Sequence, residues 1–125
     1  MPGGKVGGVA DVMRDLPPAV ARHGYRASVV MPSYGALHRL EGTRPAGSIN
    51  ARFRGETIRV DVYELALRDV TCVLLDHPAL APTEPGIIYH DDDDQRPYAT
   101  DANKFAAFGA AAAAWVQALD PAPSV

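Results

Sequence analysis

The chain has 125 residues, 47% hydrophobic and 22% charged, the size and balance of one soluble globular domain and not of a disordered chain. Twelve basic and fifteen acidic residues give a net charge of −3 without any basic run, which argues against nucleic acid or an anionic membrane surface as partner. The one cysteine, Cys72, excludes an internal disulfide and fits a reducing compartment. No stretch approaches the roughly 18 apolar residues that span a bilayer. The N-terminus lacks the charged-then-apolar pattern of a secretory signal, so the expected location is cytoplasmic.

Residues 1–8 are glycine-rich and read as loop. From Val9 the apolar residues Val9, Val12, Met13, Leu16 and Val20 recur at helical spacing. Pro17 and Pro18 predict a kink or a restart within that helix, since proline lacks the backbone donor and clashes one turn back. His23-Gly24 ends the element, and "RASVVMP" (26–32) reads as a short buried strand stopped by Pro32. A glycine loop, helix and strand in this order belong to α/β architectures. "SYGALHRLEG" is a connection with room for a helical turn.

Three runs of strand character follow. "SINARFRG" alternates Ile49, Ala51 and Phe53 against Asn50, Arg52 and Arg54. "ETIRVDVYELAL" also alternates, whereas "DVTCVLLD" is nearly continuous and is expected in the middle of the sheet, with Cys72 buried and inert. Turns at Gly55-Glu56 and Arg68-Asp69 predict hairpins between the runs. A long loop rich in proline and aspartate leads to a helix from about Thr100 to Leu119. Its expected apolar face carries Phe105, Phe108, Ala112, Trp115, Val116 and Leu119.

The chemistry concentrates in "KVGGVADV", residues 5–12. Glycines let backbone N–H groups approach a ligand, and a helix starting near Val9 offers free donors and a partial positive charge. Lys5 adds a full charge, so the stretch suits a phosphate or pyrophosphate. It matches neither G-x-G-x-x-G nor G-x-x-x-x-G-K-[ST], and a plain glycine turn before a helix is the competing reading. Asp11 reads equally as an acid favoured by the helix dipole, and Tyr89 as a residue packing a loop. The run Asp91 to Asp94 lacks the spaced ligands and glycine of a calcium loop, and His23, His38 and His77 lack metal-ligand spacing. No metal and no cofactor is implied.

"KVGGVADVMRDLPPAVARHGYRASVVMPSYG" resembles the opening of bacterial glycogen synthases and plant starch synthases. There a K-x-G-G-L-x-D-V loop leads into a helix with an L-P motif, then a strand ending in P-x-Y or P-x-F. "VLLDHPAL" and "PGIIYHDDDDQRPYATDANKFAAFGAAAAAW" resemble later motifs of that family in the same order, so the likeness spans nearly the whole chain. The resemblance implies an α/β fold, the Rossmann-like N-terminal half of a GT-B glycosyltransferase. It is expected to be truncated at both ends, with a mixed sheet and flanking helices.

By the same resemblance, residues 1–125 are a partial catalytic domain without the second GT-B domain. The implied reaction is glucose transfer from ADP-glucose to the non-reducing end of an α-1,4-glucan. The family's lysine falls on Lys5 and its glycines on Gly7 and Gly8, which would hold the nucleotide sugar. The motif aspartate falls on Asp11, and Tyr89 and His90 are candidates for lining the glucose or acceptor site. The family's first strand, its H-x-H-D-W loop and its second domain have no counterpart in these residues, so the chain alone is expected to be inactive. A non-enzymatic phosphate- or glucan-binding remnant, or a subunit needing a partner chain, is the alternative.

Overall fold

The computed structural model describes residues 8–81 and 99–119. In chain order these form α1 (Gly8–Ala21), β1 (Ala27–Pro32), a 3-10 turn (Leu37–Arg39), β2 (Arg44–Phe53), β3 (Glu56–Leu67), β4 (Val70–Asp76), a second 3-10 turn (Pro78–Leu80) and α2 (Ala99–Ala118). The four strands make one mixed sheet in the order β1-β4-β3-β2, with β1 parallel to β4 and the other two pairs antiparallel.

The mixed sheet follows from the lengths of the connections. β2, β3 and β4 are joined by tight turns and must meander. The first turn falls on Arg54 and Gly55, both at positive φ (53° and 77°), the backbone pattern that matches hairpin twist. It lies one residue earlier than the sequence suggests. β1 reaches its parallel place beside β4 only because the chain passes through the 3-10 turn, β2 and β3 before returning. β4, flanked by β1 and β3, is buried almost throughout, as its unbroken apolar run requires.

Each face of the sheet has its own core. On one, Ala51, Val60, Val62, Val73, Leu75 and Leu80 meet Ala107 and Ala111 of α2. On the other, Met31, Leu65, Cys72 and Leu74 gather under Leu37, with α1 packed along β1.

Two expectations are refined. Of the kink or restart expected at Pro17 and Pro18, the restart does not occur, and α1 runs through both prolines as one helix. Pro17 is itself buried, and its packing offsets the lost donor. In α2 the contact face is centred on Lys104, Ala107 and Ala111, while Phe105 and Val116 are 36% and 39% exposed. Alanines let the helix backbone approach the sheet closely, so the small residues mark the buried face and the larger ones flank it. Phe108 and Trp115 pack against the core as expected.

Cys72, 1% exposed, has its thiol pKa raised above the ordinary 9.0 by burial. Below about pH 8 both folded and unfolded chains hold the proton, and the residue adds no slope. As pH rises past about 9 the unfolded chain releases it first, so stability should fall. Urea denaturation at pH 7, 9 and 10 should show this decline, and Cys72→Ala should flatten it.

Candidate functional site

The short connection of residues 22–26, with Gly24 at φ 89°, turns the chain back from α1 into β1. The two therefore run antiparallel, and the N-terminus of α1 lies toward the carboxyl end of β1. Because β4 is parallel to β1, the loops after both strands open at that same end. In open α/β sheets ligands bind outside the carboxyl ends of the strands, and the free N–H groups of a helix start favour an anion.

Of the residues the sequence singles out, Gly8 opens α1 and Asp11 sits in its first turn. The Asp11 side chain is 47% exposed, and its Oδ1 lies 3.2 Å from Arg14 Nη1. Arg14 also donates two hydrogen bonds to Asp15, at 2.8 and 2.9 Å. That bond, then the charges of Asp15 and Asp11, raise the guanidinium pKa. A cation is thus held among acids in the first half of α1. Lys5, Gly7, Tyr89 and His90, and the run Asp91 to Asp94, lie outside the described residues.

A polar cluster at the same end escaped the sequence reading. Ser33, fully buried, continues β1 by donating its N–H to the Leu75 carbonyl at 2.8 Å. Its Oγ accepts the backbone N–H of His38 at 3.0 Å and lies 2.6 Å from His38 Nδ1. That same nitrogen is 3.5 Å from Asp76 Oδ1 at the end of β4, and the ring leans on Tyr63 with centroids 5.1 Å apart.

The three residue types suggest a hydrolase triad, but the geometry refuses it. A relay needs the acid on Nδ1 and the hydroxyl on Nε2, whereas here both face Nδ1 and the serine is sealed from solvent. The cluster instead clamps the β1 loop to β4. Between its anchors Tyr34 (φ 52°) and Gly35 (φ 72°) both take the left-handed conformation. A Cβ at Gly35 would also come within 3.3 Å of the Ala81 side chain. His77 caps the following 3-10 turn, its Nδ1 accepting Ala79 N–H at 3.0 Å. The only sequence signal for the clamp is a serine just past a strand with a histidine five residues on, which is too common to stand out.

A separate cleft of about 810 Å³ opens at the other end of the sheet, between Pro17 and Arg22 of α1 and Leu67, Arg68 and Val70. The carboxyl end of the strands is the better candidate for a ligand because the helix N-terminus faces there. Among the described residues no group of three or more His, Cys, Asp or Glu could hold a metal ion. No described helix is long and apolar enough to cross a membrane.

Comparison with known proteins agrees with this architecture. Glycogen synthases of Francisella tularensis and Francisella philomiragia are each 32% identical over 117 residues, covering 93% of this chain and 24% of theirs. The chain thus spans about a quarter of the length of these curated relatives. Among solved structures, the catalytic domain of starch synthase IV from Arabidopsis thaliana bound to ADP and acarbose superposes with a TM-score of 0.73. That match has 22% identity and covers 93% of this chain and 23% of that one. It carries the fold, the Rossmann-like half of a glycosyltransferase with its mixed sheet. The family profile described as the starch synthase catalytic domain matches residues 1–125, and the chain belongs to that family.

Proposed function

We propose that this chain is the N-terminal wall of a glucosyltransferase that moves glucose from ADP-glucose to the non-reducing end of an α-1,4-glucan. The observation that carries the reading is the match of the starch synthase catalytic domain to the whole chain. The ADP bound in the Arabidopsis neighbour supports an adenine nucleotide as the donor's leaving group. The expected setting is a cytoplasmic GT-B enzyme whose second domain closes the cleft.

In this reading Lys5, with backbone donors at Gly7 and Gly8, holds the diphosphate at the start of α1. Breaking the anomeric carbon–phosphate bond gathers negative charge on the diphosphate. Fixed donors and a cation stabilise that charge more than they stabilise the intact sugar nucleotide. Asp11, Tyr89 and His90 line the glucose or acceptor side, where orientation of the incoming hydroxyl matters most. A second wall is required to enclose the oxocarbenium-like sugar, so the 125-residue chain alone should transfer no glucose.

The test is calorimetric titration of the chain with ADP-glucose. A millimolar-range dissociation constant that Lys5→Ala removes is expected. A flat response in both proteins, or glucose incorporation into glycogen by the chain alone, contradicts the proposal.

A further inference from the structure

The clamp at the end of β1 also fixes where its protons are. Ser33 is 0% exposed, and among the described residues its Oγ has two partners, His38 N–H at 3.0 Å and His38 Nδ1 at 2.6 Å. The backbone N–H can only donate, so Oγ accepts there. The hydroxyl's own hydrogen then has one acceptor within reach, the lone pair of Nδ1. A buried O–H without a partner is costly, so the ring is neutral, with Nδ1 bare and its proton on Nε2. Asp76 Oδ1 fits the same assignment. It lies 3.5 Å from Nδ1, well beyond the roughly 2.7–2.9 Å of a charged hydrogen bond between nitrogen and carboxylate.

A charged ring would find a different partner. Asp76 faces it from β4, and Asp61 stands directly opposite Asp76 on β3, which sets two carboxylates on one face of the sheet. Asp61 has Arg59 Nε 3.8 Å away, and Tyr63 of β3 packs against the His38 ring. Arg39, the next residue, is exposed, and His77, beside Asp76, has its Nδ1 on Ala79 N–H. Histidine ordinarily changes charge between about pH 5 and 8. A second proton, on Nδ1, removes the lone pair that holds Ser33 O–H and makes that nitrogen a donor, with Asp76 the carboxylate in reach.

We propose that His38 is a pH-sensitive switch on the β1 loop: neutral, it holds the loop through Ser33, and protonated, it passes its Nδ1 bond to Asp76. One proton enters from solvent and none leaves. The handover takes away the acceptor of the sealed Ser33 hydroxyl. The loop thereby loses a side-chain anchor beside Tyr34, which sits at φ 52°. A left-handed tyrosine persists only where its surroundings hold it, so acid should release the turn there first. That turn borders the carboxyl end of the strands, and its response to pH does not depend on the glucosyltransferase reading.

Nitrogen-15 NMR of the histidine rings, with amide hydrogen exchange corrected for the intrinsic effect of pH, tests the switch between about pH 8 and about pH 5. At the upper pH, His38 Nδ1 should read as the unprotonated nitrogen. Ser33→Ala, which removes the donor, should move the proton to Nδ1, facing Asp76. The amides of Ala36, Leu37 and His38 all bond Ser33. As the ring charges, their protection should fall at least about tenfold while the β4 amides keep theirs. Asp76→Asn, which keeps the shape without the charge, should move that loss to lower pH. A proton on Nδ1 at the upper pH, a ring still neutral at the lower one, or protection unchanged while the ring titrates would each overturn the proposal. All three are read on the unmodified chain.

Discussion

Leu75→Ala is expected to lower the unfolding free energy by about 2–5 kcal/mol, the largest effect of any single side-chain truncation in the sheet. Leu75 is 0% exposed in β4, paired to Pro32 on one side and Val62 on the other. Its side chain lies in the core that Leu80, Ala107 and Ala111 close from above. Those neighbours sit on two separate elements, the second 3-10 turn and α2, so a cavity left there cannot be filled by a simple shift of one helix. Its carbonyl also receives Ser33 N–H, which ties the same position to the β1 loop and the clamp. A domain of this size has roughly 5–15 kcal/mol of stability to lose. Urea denaturation should therefore show a lower midpoint at an unchanged slope. Leu40→Ala, 38% exposed, should cost far less. Equal costs at the two positions would mean that the sheet and α2 are not packed as described.

The strands were readable because alternation and turn chemistry act locally. β3 falls on "ETIRVDVYELAL" without error and the continuous run is the inner strand β4, since a strand buried on both faces must be apolar at every position. α2 was readable as a helix but not in its orientation. A residue's size predicts burial only when the gap between layers is wide. Here the helix lies close, and Ala107 and Ala111 are fully buried while Phe105 is not. The prolines of α1 show the same limit from the other side. A local rule foretold a kink or a restart, and the helix continues through both prolines without the restart, with Pro17 buried.

The site was legible in part. That a helix begins beside the glycines follows from spacing, and Gly8 indeed starts α1. The clamp was not readable, because Ser33, His38 and Asp76 come together only when β1 and β4 align in parallel across an intervening hairpin. Tyr34 was read as the end of a strand motif. Its left-handed conformation became visible only with the loop held at both anchors.

In a full-length protein containing this segment, Lys5→Ala should lower kcat/KM for glucosyl transfer by about 10²–10³, the usual loss when one charge-stabilising donor is removed. Much of that loss should fall in kcat. Ground-state ADP-glucose already carries a diphosphate that backbone donors at the start of α1 can hold, so removing the lysine weakens binding modestly. The extra negative charge arises only as the glycosidic bond to phosphate breaks, and a nearby cation is worth most at that moment. Lys5→Arg keeps the charge but replaces a compact ammonium with a planar fork, and should recover part of kcat without restoring it. Steady-state kinetics with ADP-glucose and glycogen separate the two contributions. A rise in KM with kcat unchanged would assign Lys5 to uniform donor binding, and its place at the leaving group would have to be given up.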